Sequence, residues 1–321
     1  MAATGSMMSG IRLGVVDMDI VLEEESLRDG LQGEARLFSL EEKLEVVRLL
    51  VAAGVRRIQL GSFVHPQTVP QMANTDALAV QVRRQYPDLL CTALVLNEKG
   101  LDRALKAGLG HVSMSVSLAD SHSRKNSGMP AADALMRMQA LITQAVAAGL
   151  QVRAGLQCAF GFADAGDIGE NMILAAAELL IAAGAAEINL ADTAGLAHPR
   201  QIRQLVIAVR ARFPETVVSL HLHDTRGLGL VNLYAGIEAG VRLFDVAAGG
   251  LGGCPFIEGA AGNVAAEDGV HLIHSLGRHT GIDLEQLCQV VDYYELLLER
   301  KLPGRMKRVL SGRHSGGNFG C

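Results

Sequence analysis

One local pattern recurs along the chain: an apolar, helix-like stretch ends in Ala-Gly, and a strand-like run follows at once. The glycines of these junctions are Gly54, Gly108, Gly149, Gly184 and Gly240. A glycine directly after a helix adopts the left-handed backbone that closes the last turn. The runs that follow, such as IQLGSFV and INLADT, are almost continuously apolar, which indicates parallel strands covered on both faces.

Three more apolar runs, DIVLEEES, LLCTALVL and TVVSLHLHDT, bring the number of predicted strands to eight. A helical stretch follows each strand, and the first helix opens with a capping box of Ser39 and Glu42. An open, doubly wound sheet rarely needs eight regular units, so the pattern predicts an α/β fold of the (β/α)8 TIM-barrel type. Helical segments around Ala265–Leu276 and Asp283–Arg300 predict a short C-terminal extension.

Composition sets the boundaries of the predicted domain. The chain has 321 residues, 49% of them hydrophobic, which suffices for one barrel domain over residues 11–302. A disordered leader is expected at residues 1–10 and a flexible tail at residues 303–321.

A net charge of −5 without basic runs argues against a nucleic-acid partner. No apolar stretch could span a bilayer, and five scattered cysteines indicate reduced thiols and a cytoplasmic protein.

Unusual polar residues fall where the predicted strands end. They are Arg28-Asp29 after the first strand, Asp192 after the sixth, His221 and His223 on the seventh, and Cys254 and Asn263 beyond the eighth. In barrels of this class the chemistry lies at the carboxyl ends of the strands and in the loops that follow them. The sequence therefore predicts that these side chains meet at one mouth of the barrel.

His221 and His223 are the sharpest local signal for a metal site. Residues two apart on a strand point to the same side, so both imidazoles can face one centre. Such a pair alone is more often structural than metal-binding. Asp29 and Asn263, predicted at the same mouth, favour the metal interpretation, because imidazole, carboxylate and amide oxygen together suit a divalent ion.

The other polar residues at this mouth allow two interpretations each. Arg28 could form a surface ion pair with Asp29, or it could stabilise oxyanion charge that develops during a reaction. Asp192 could cap the following helix, or it could act as a general base. The glycine-rich run before Cys254 could be a flexible turn, or it could be a mobile lid that carries an acid.

Several longer segments resemble one known family when they are taken together and in order. LRDGLQGE, SFVHPQTVPQM, NLADTAG, HLHDTRG and GGLGGCPFIEGAAGN are similar to marker segments of the 3-hydroxy-3-methylglutaryl-CoA lyase family, which belongs with metal-dependent barrel lyases and Claisen-type synthases. The likeness runs from Ser26 to about Leu302. It implies a carbon–carbon lyase that needs magnesium or manganese and cleaves a 3-hydroxyacyl-CoA to acetyl-CoA and a keto acid, which is acetoacetate if the substrate is 3-hydroxy-3-methylglutaryl-CoA.

The resemblance also implies roles for single residues. The metal ligands would be Asp29, His221, His223 and Asn263. Arg28 would steady the enolate oxygen, Asp192 would help to move the hydroxyl proton, and Cys254 would protonate the acetyl-CoA carbanion. Gln59 and Asn97 would lie near the acyl-CoA.

Three departures from the family pattern leave the substrate open. Gln59 stands where family lyases typically carry a glutamate that helps to hold the arginine, so a weaker anchor for Arg28 is expected. Gly155 replaces an aromatic residue, which predicts a wider acyl pocket. His314, in a His-Ser-Gly segment, is similar to a histidine that the related synthases insert into the site, although a disordered tail is the simpler interpretation.

The alternatives are a lyase of a bulkier or citramalyl-CoA-like substrate, and a Claisen-type acyltransferase similar to 2-isopropylmalate or citramalate synthases. A barrel with a helical extension also suggests a homodimer.

Overall fold

The predicted strands form a closed parallel barrel in which each strand pairs with the next and the eighth pairs with the first. The computed structural model describes residues 19–162, 168–254 and 257–314, without the side chains at 253–261 and 313–314. The barrel strands are β1 Val21–Glu24, β2 Arg57–Ser62, β3 Leu90–Leu94, β4 His111–Ser117, β5 Gln151–Gln157, β6 Glu187–Ala191, β7 Val217–His221 and β8 Leu243–Val246. A two-stranded antiparallel sheet follows, with β9 Gly253–Cys254 and β10 Ile257–Ala261. The predicted TIM barrel is confirmed.

Helices alternate with the strands and continue beyond the eighth strand. They are α1 Leu40–Ala52, α2 Thr75–Gln85, α3 Glu98–Lys106, α4 Asp120–Ser127, α5 Ala131–Ala147, α6 Glu170–Ala182, α7 Pro199–Arg212, α8 Gly229–Glu238, α9 Ala266–Ser275, α10 Leu284–Leu298 and α11 Met306–His314. The capping box of Ser39 and Glu42 starts α1 as predicted. All five junction glycines have positive φ angles, for example 93° at Gly54 and 88° at Gly240, so the repeat reflects helix-to-strand turns.

The apolar core lies between the strands and the surrounding helices. Val46 and Leu50 of α1, Ile58 and Leu60 of β2 and Leu287 of α10 are buried in one continuous cluster. Helix α10 packs against α1, so the predicted C-terminal extension covers the side of the barrel rather than standing apart from it. Within the described part of the chain, no helix has both the length and the apolar composition needed to cross a membrane.

The interior of the barrel, by contrast, is charged. The Glu23 carboxylate accepts hydrogen bonds from Arg57 and Arg153, each at 2.6 Å. Arg57 also donates to Glu187 at 2.8 Å, and Arg153 pairs with Asp245. Buried charges are costly unless each has a partner, and these five side chains supply partners to one another. The network forms a rigid polar floor beneath the carboxyl ends of the strands.

The end of the described chain differs from expectation. Part of the segment expected to be a flexible tail from residue 303 forms α11. The Asp268 carboxylate accepts hydrogen bonds from the backbone N–H groups of Arg305 and Met306, at 2.9 and 2.7 Å. A carboxylate at the start of a helix satisfies amide groups that the helix itself leaves unpaired. The capping residue lies 37 positions earlier in the chain, which is why the local sequence does not reveal it.

Candidate active site

The two histidines of β7 and its following loop point their rings at one position. The Nε2 atoms of His221 and His223 lie 3.1 Å apart. On the far side of each ring, Nδ1 of His221 lies 3.0 Å from the Asp245 carboxylate, and Nδ1 of His223 lies 3.1 Å from the carbonyl oxygen of Thr193. Both partners are acceptors, so in a neutral ring each Nδ1 would carry the proton and each Nε2 would be available to bind a cation at the same position.

Asp29 and Asn263 complete this cluster. The Oδ2 atom of Asp29 lies 3.8 Å from Nε2 of His221 and 3.7 Å from Nε2 of His223. Nδ2 of Asn263 donates to the same carboxylate oxygen at 2.9 Å. Burial disfavours charge on Asp29, but the neighbouring Arg28 guanidinium holds the pKa of that carboxyl well below its ordinary value. The four ligands that the sequence suggested therefore lie together, with Asp29 ionised.

A divalent cation fits this arrangement. Asp29, His221 and His223 offer ligand atoms that all lie within 4.8 Å of one another. Among the described residues, Oδ1 of the buried Asn263 has no hydrogen-bond partner. A buried oxygen without a partner costs free energy, and a bound cation would give it one. The mixture of nitrogen and oxygen donors suits ions such as Mn²⁺ or Mg²⁺.

Arg28 is held beside this cluster by three side chains. Its Nε donates to Oε1 of Gln59, its Nη2 to Glu25 and its Nη1 to Asp29. The expectation of a weaker anchor, drawn from Gln59 alone, is corrected here, because the fully buried Glu25 supplies a carboxylate directly. Nε2 of Gln59 donates in turn to Oε1 of Glu25 at 2.9 Å.

Asp192 and Asn97 both accept hydrogen bonds from nearby backbone. Oδ1 of Asp192 accepts from the N–H groups of Leu196 and Ala197, at 2.8 and 3.1 Å. These amides belong to the loop before α7, whose N-cap is His198, so Asp192 does not cap the following helix as one interpretation of the sequence had it. Burial raises the pKa of Asp192 in spite of these donors. Asn97 caps α3 by accepting from Gly100 at 2.9 Å, and it lines the cavity described below. These backbone contacts fix where both side chains lie.

Two buried carboxylates hold the start of the glycine-rich segment. Oε1 of Glu24 accepts from the backbone N–H of Ala248 at 2.7 Å, and Oε2 of Glu267 accepts from that of Gly249 at 2.9 Å. Burial raises the pKa of each carboxyl to about 7. The base of the segment is therefore tied to β1 on one side and to α9 on the other.

The glycine-rich segment then passes close to the histidine cluster. Gly252 has a φ angle of 119°, and a Cβ at this position would lie 2.7 Å from Nδ2 of Asn263. Only glycine allows this approach of the backbone. Cys254 follows in β9, but its side chain is outside the described residues, as is that of His314 in α11. The predicted roles of these two side chains remain predictions.

A cavity of about 1310 Å³ opens above the cluster. Arg28, Asp29 and His223 line its polar end, and the other lining residues include Leu96 and Met138. Its volume exceeds the roughly 300–1,000 Å³ of common small-molecule pockets. It can therefore hold a long ligand whose reacting end reaches the histidines.

Gly155 lies on the inner face of β5, between Arg153 and Gln157 in the two-residue alternation of the strand. A Cβ on Gly155 would lie 3.0 Å from the Cβ of Ser115 on β4. Both Ser115 and Gln157 line the cavity, and Gln157 donates to the Ser115 hydroxyl at 3.0 Å. A wider acyl pocket at Gly155 stays a prediction.

Glu25, Asp245 and Thr193, which orient the arginine and the two histidines, were not among the predicted site residues. Glu25 and Asp245 did carry a usable signal, since each is a charged residue within or directly after an apolar strand. Side chains two positions apart on a strand point to the same face. A charged residue two positions from an inward-facing one therefore also points into the barrel. Thr193 acts through its backbone carbonyl, so its side chain could not reveal this role.

The barrel has a charged floor, a cluster fitted for a cation and a fixed arginine beneath a large cavity. These features define a barrel enzyme with its site at the carboxyl ends of the strands. The family model described as HMGL-like matches residues 19–293. An (R)-citramalyl-CoA lyase of Chloroflexus aurantiacus is 38% identical over 88% of this chain and 92% of its own. A hydroxymethylglutaryl-CoA lyase of Bacillus subtilis is 33% identical over 90% and 97% of the two chains.

A solved lyase structure is also similar to this chain over nearly its whole length. The HMG-CoA lyase from Acinetobacter baumannii, in complex with coenzyme A and 3-methylmalate, matches with a TM-score of 0.84 and 33% identity over 94% of this chain and 96% of that one. The chain belongs to the HMGL-like family, and it is a carbon–carbon lyase. The resemblance drawn from the marker segments is thereby confirmed, and the lyase prediction holds over the Claisen-type alternative.

Proposed function

We propose that this protein is a divalent-metal-dependent lyase that cleaves a 3-hydroxy-3-methylglutaryl-CoA-like thioester to acetyl-CoA and a keto acid. One observation carries the proposal: two Nε2 atoms 3.1 Å apart lie beside Asp29, whose pKa is held low by Arg28, at a cavity that suits a long ligand. The relatives named as lyases of citramalyl-CoA and hydroxymethylglutaryl-CoA support an acyl-CoA substrate.

Asp29, His221, His223 and Asn263 would hold the cation. When bound, the cation would supply Lewis acidity that makes the substrate hydroxyl easier to deprotonate. Asp245 and the Thr193 carbonyl keep both histidines in the tautomer that binds metal, because each accepts the proton on Nδ1. Magnesium and manganese are the ions we propose.

The arginine supplies charge where the reaction creates it. Cleavage removes the proton of the 3-hydroxyl, breaks the bond between C2 and C3, and leaves the electron pair on the thioester as an enolate. Three N–H donors of Arg28 are used by Gln59, Glu25 and Asp29. A guanidinium has five N–H donors, so two can stabilise the enolate oxygen, and a fixed donor needs no rearrangement to do so.

Two further groups would move the protons. Asp192, whose carboxylate is held by backbone N–H groups, would accept the hydroxyl proton. The Cys254 thiol, on the segment tied down by Glu24 and Glu267, would give a proton to C2 of the enolate and complete acetyl-CoA. The keto product keeps the oxygen of the former hydroxyl, so atoms and charge balance.

Two substrates deserve comparison first. 3-Hydroxy-3-methylglutaryl-CoA would give acetoacetate, and the 33% identical Bacillus relative supports it. (R)-Citramalyl-CoA would give pyruvate, and the 38% identical Chloroflexus relative supports it. Gly155 favours a third possibility, a 3-hydroxyacyl-CoA with a bulkier substituent, because any larger residue there would contact Ser115.

The experiment follows both products. Protein loaded with manganese is mixed with each thioester, acetyl-CoA is measured with citrate synthase, and acetoacetate or pyruvate is measured with its NADH-linked dehydrogenase. We expect equal amounts of the two products from at least one thioester. His221→Ala should abolish this release, whereas His271→Ala, at an exposed position of α9, should not. Absence of acetyl-CoA from every thioester would overturn the proposal.

We also propose that the protein works as a homodimer in the cytoplasm. The buried, free thiols of Cys91, Cys158 and Cys288 agree with a reducing compartment. Light scattering coupled to size-exclusion chromatography would give the mass in solution, and a mass of 34.0 kDa would contradict the dimer.

A further inference from the structure

Glu25 and Gln59 form a matched pair around Arg28. Strands β1 and β2 are in register with Glu24 opposite Ile58, so Glu25 lies beside Gln59 one residue further on. Both side chains are fully buried, and both contact the guanidinium. Their own contact, from Nε2 of Gln59 to Oε1 of Glu25 at 2.9 Å, closes a three-membered ring of hydrogen bonds.

The donors and acceptors in this ring are fully assigned. Arg28 can only donate, so it requires an oxygen at both neighbours. Gln59 gives its single oxygen to Nε of Arg28, which leaves its amide N–H to face Glu25. Both oxygens of Glu25 accept in this arrangement, as those of an ionised carboxylate can. One carboxylate and one amide satisfy the ring.

Glu25 also connects the arginine to the charged floor of the barrel. Its Oε1 accepts from Nη1 of Arg153 at 3.3 Å, and Arg153 pairs with Asp245, which orients His221. The same carboxylate thus contacts the catalytic arginine on one side and the support of the histidine cluster on the other.

We propose that Glu25 is the positioning residue for Arg28 in the lyase reaction, and that Gln59 is its obligatory neutral partner, so that the charge and the amide can exchange places but neither can be duplicated. This inference rests on the proposed function, since Arg28 is taken to stabilise the enolate. The ring around Arg28 needs one carboxylate and one amide, and either position can supply either group.

Each single substitution breaks the ring for a different reason. In Glu25→Gln, one amide oxygen would have to accept from both Arg28 and Gln59, so one donor loses its acceptor. In Gln59→Glu, two carboxylates would face each other at about the present 2.9 Å spacing of their atoms, and like charges at that distance repel strongly. Arg28 is displaced or left loose in both variants.

The double exchange, Glu25→Gln with Gln59→Glu, restores all three bonds. Glu at position 59 would accept from Arg28 and from the amide at position 25, whose oxygen would accept from Nη2 of Arg28. The contact with Arg153 is the only one lost, and Arg153 keeps its bond to Glu23. Net charge and side-chain volume stay the same as in the parent.

The test compares the parent, both single variants and the double variant for acetyl-CoA release, with the melting temperature and the manganese affinity measured in parallel. A misplaced oxyanion donor lowers turnover more than substrate binding. We expect each single variant to lose at least about 30-fold in kcat with less than about threefold change in KM. The double variant should return to within about fivefold of the parent.

Three outcomes would overturn the inference while the parent remains active. They are near-parental kcat in both single variants, losses in the double variant that multiply those of the single ones, and losses that appear only in KM or follow the melting temperature. A parent that releases no acetyl-CoA would instead overturn the proposed function and this inference with it, so the two failures can be told apart.

Discussion

Replacing Glu267 with glutamine should change how the stability of the protein depends on pH. The carboxyl of Glu267 is completely buried in α9, and burial raises its pKa from 4.5 to about 7. Between these two values the folded protein keeps a proton that the unfolded chain has released. The free energy of unfolding therefore falls as pH rises through this range, and it levels off above about pH 7.

The magnitude follows from the size of the shift. A pKa that rises from 4.5 to about 7, at about 1.4 kcal/mol per pKa unit, corresponds to about 3.5 kcal/mol of lost stability at high pH. Glutamine keeps the oxygen that accepts from Gly249 but has no proton to lose. A buried amide N–H without an acceptor would cost roughly 1–3 kcal/mol, but that cost does not depend on pH.

Urea unfolding of parent and variant at about pH 5 and pH 8 measures the effect. Relative to the parent, Glu267→Gln should gain about 2–3 kcal/mol of unfolding free energy between the two pH values. Glu285→Gln, an exposed position in the first turn of α10, is the matched control and should show no such gain. A difference between Glu267→Gln and the parent that is the same at both pH values would refute the buried-carboxyl argument.

Three further substitutions test the site. Asp245→Asn should weaken manganese binding about 10–100-fold in calorimetry, because it removes the carboxylate that orients His221; unchanged affinity would contradict this role. Cys254→Ser should lower turnover by about 100-fold or more at unchanged manganese affinity, and near-parental turnover would assign the proton to another group. Gly155→Tyr should lower kcat/KM for a bulky 3-hydroxyacyl-CoA more than for 3-hydroxy-3-methylglutaryl-CoA, and equal effects on both thioesters would rule out a wider pocket at Gly155.

The barrel and the ligand cluster were predictable because both depend on local patterns. The Ala-Gly junctions mark five of the changes from helix to strand, and in a parallel barrel the carboxyl ends of all strands meet at one mouth. Asp29 and His221 are 192 positions apart in sequence, yet this rule alone places them together. The structure brings them within 3.8 Å.

The support of Arg28 was not predictable in the same way. Gln59 alone suggested a missing charge, but the outcome depends on which residue of β1 lies beside it, and that is fixed by strand register and barrel shear. Asp192 is a second example, since the sequence suggested a cap of the following helix. Its carboxylate instead accepts from loop amides, and His198 caps α7. Long-range pairing of buried charges is set by the closed fold rather than by neighbours in sequence.

Recovery of activity after metal removal tests directly whether the lyase depends on a divalent metal. The protein is stripped with a chelator, dialysed and titrated with Mn²⁺ while acetyl-CoA release from the preferred thioester is followed. We expect no release from the stripped protein, and full recovery at one Mn²⁺ per chain in the parent but not in His223→Ala, which lacks one of the two facing Nε2 atoms. Undiminished release from the stripped parent, or recovery in His223→Ala at the same Mn²⁺ concentration, would contradict this expectation.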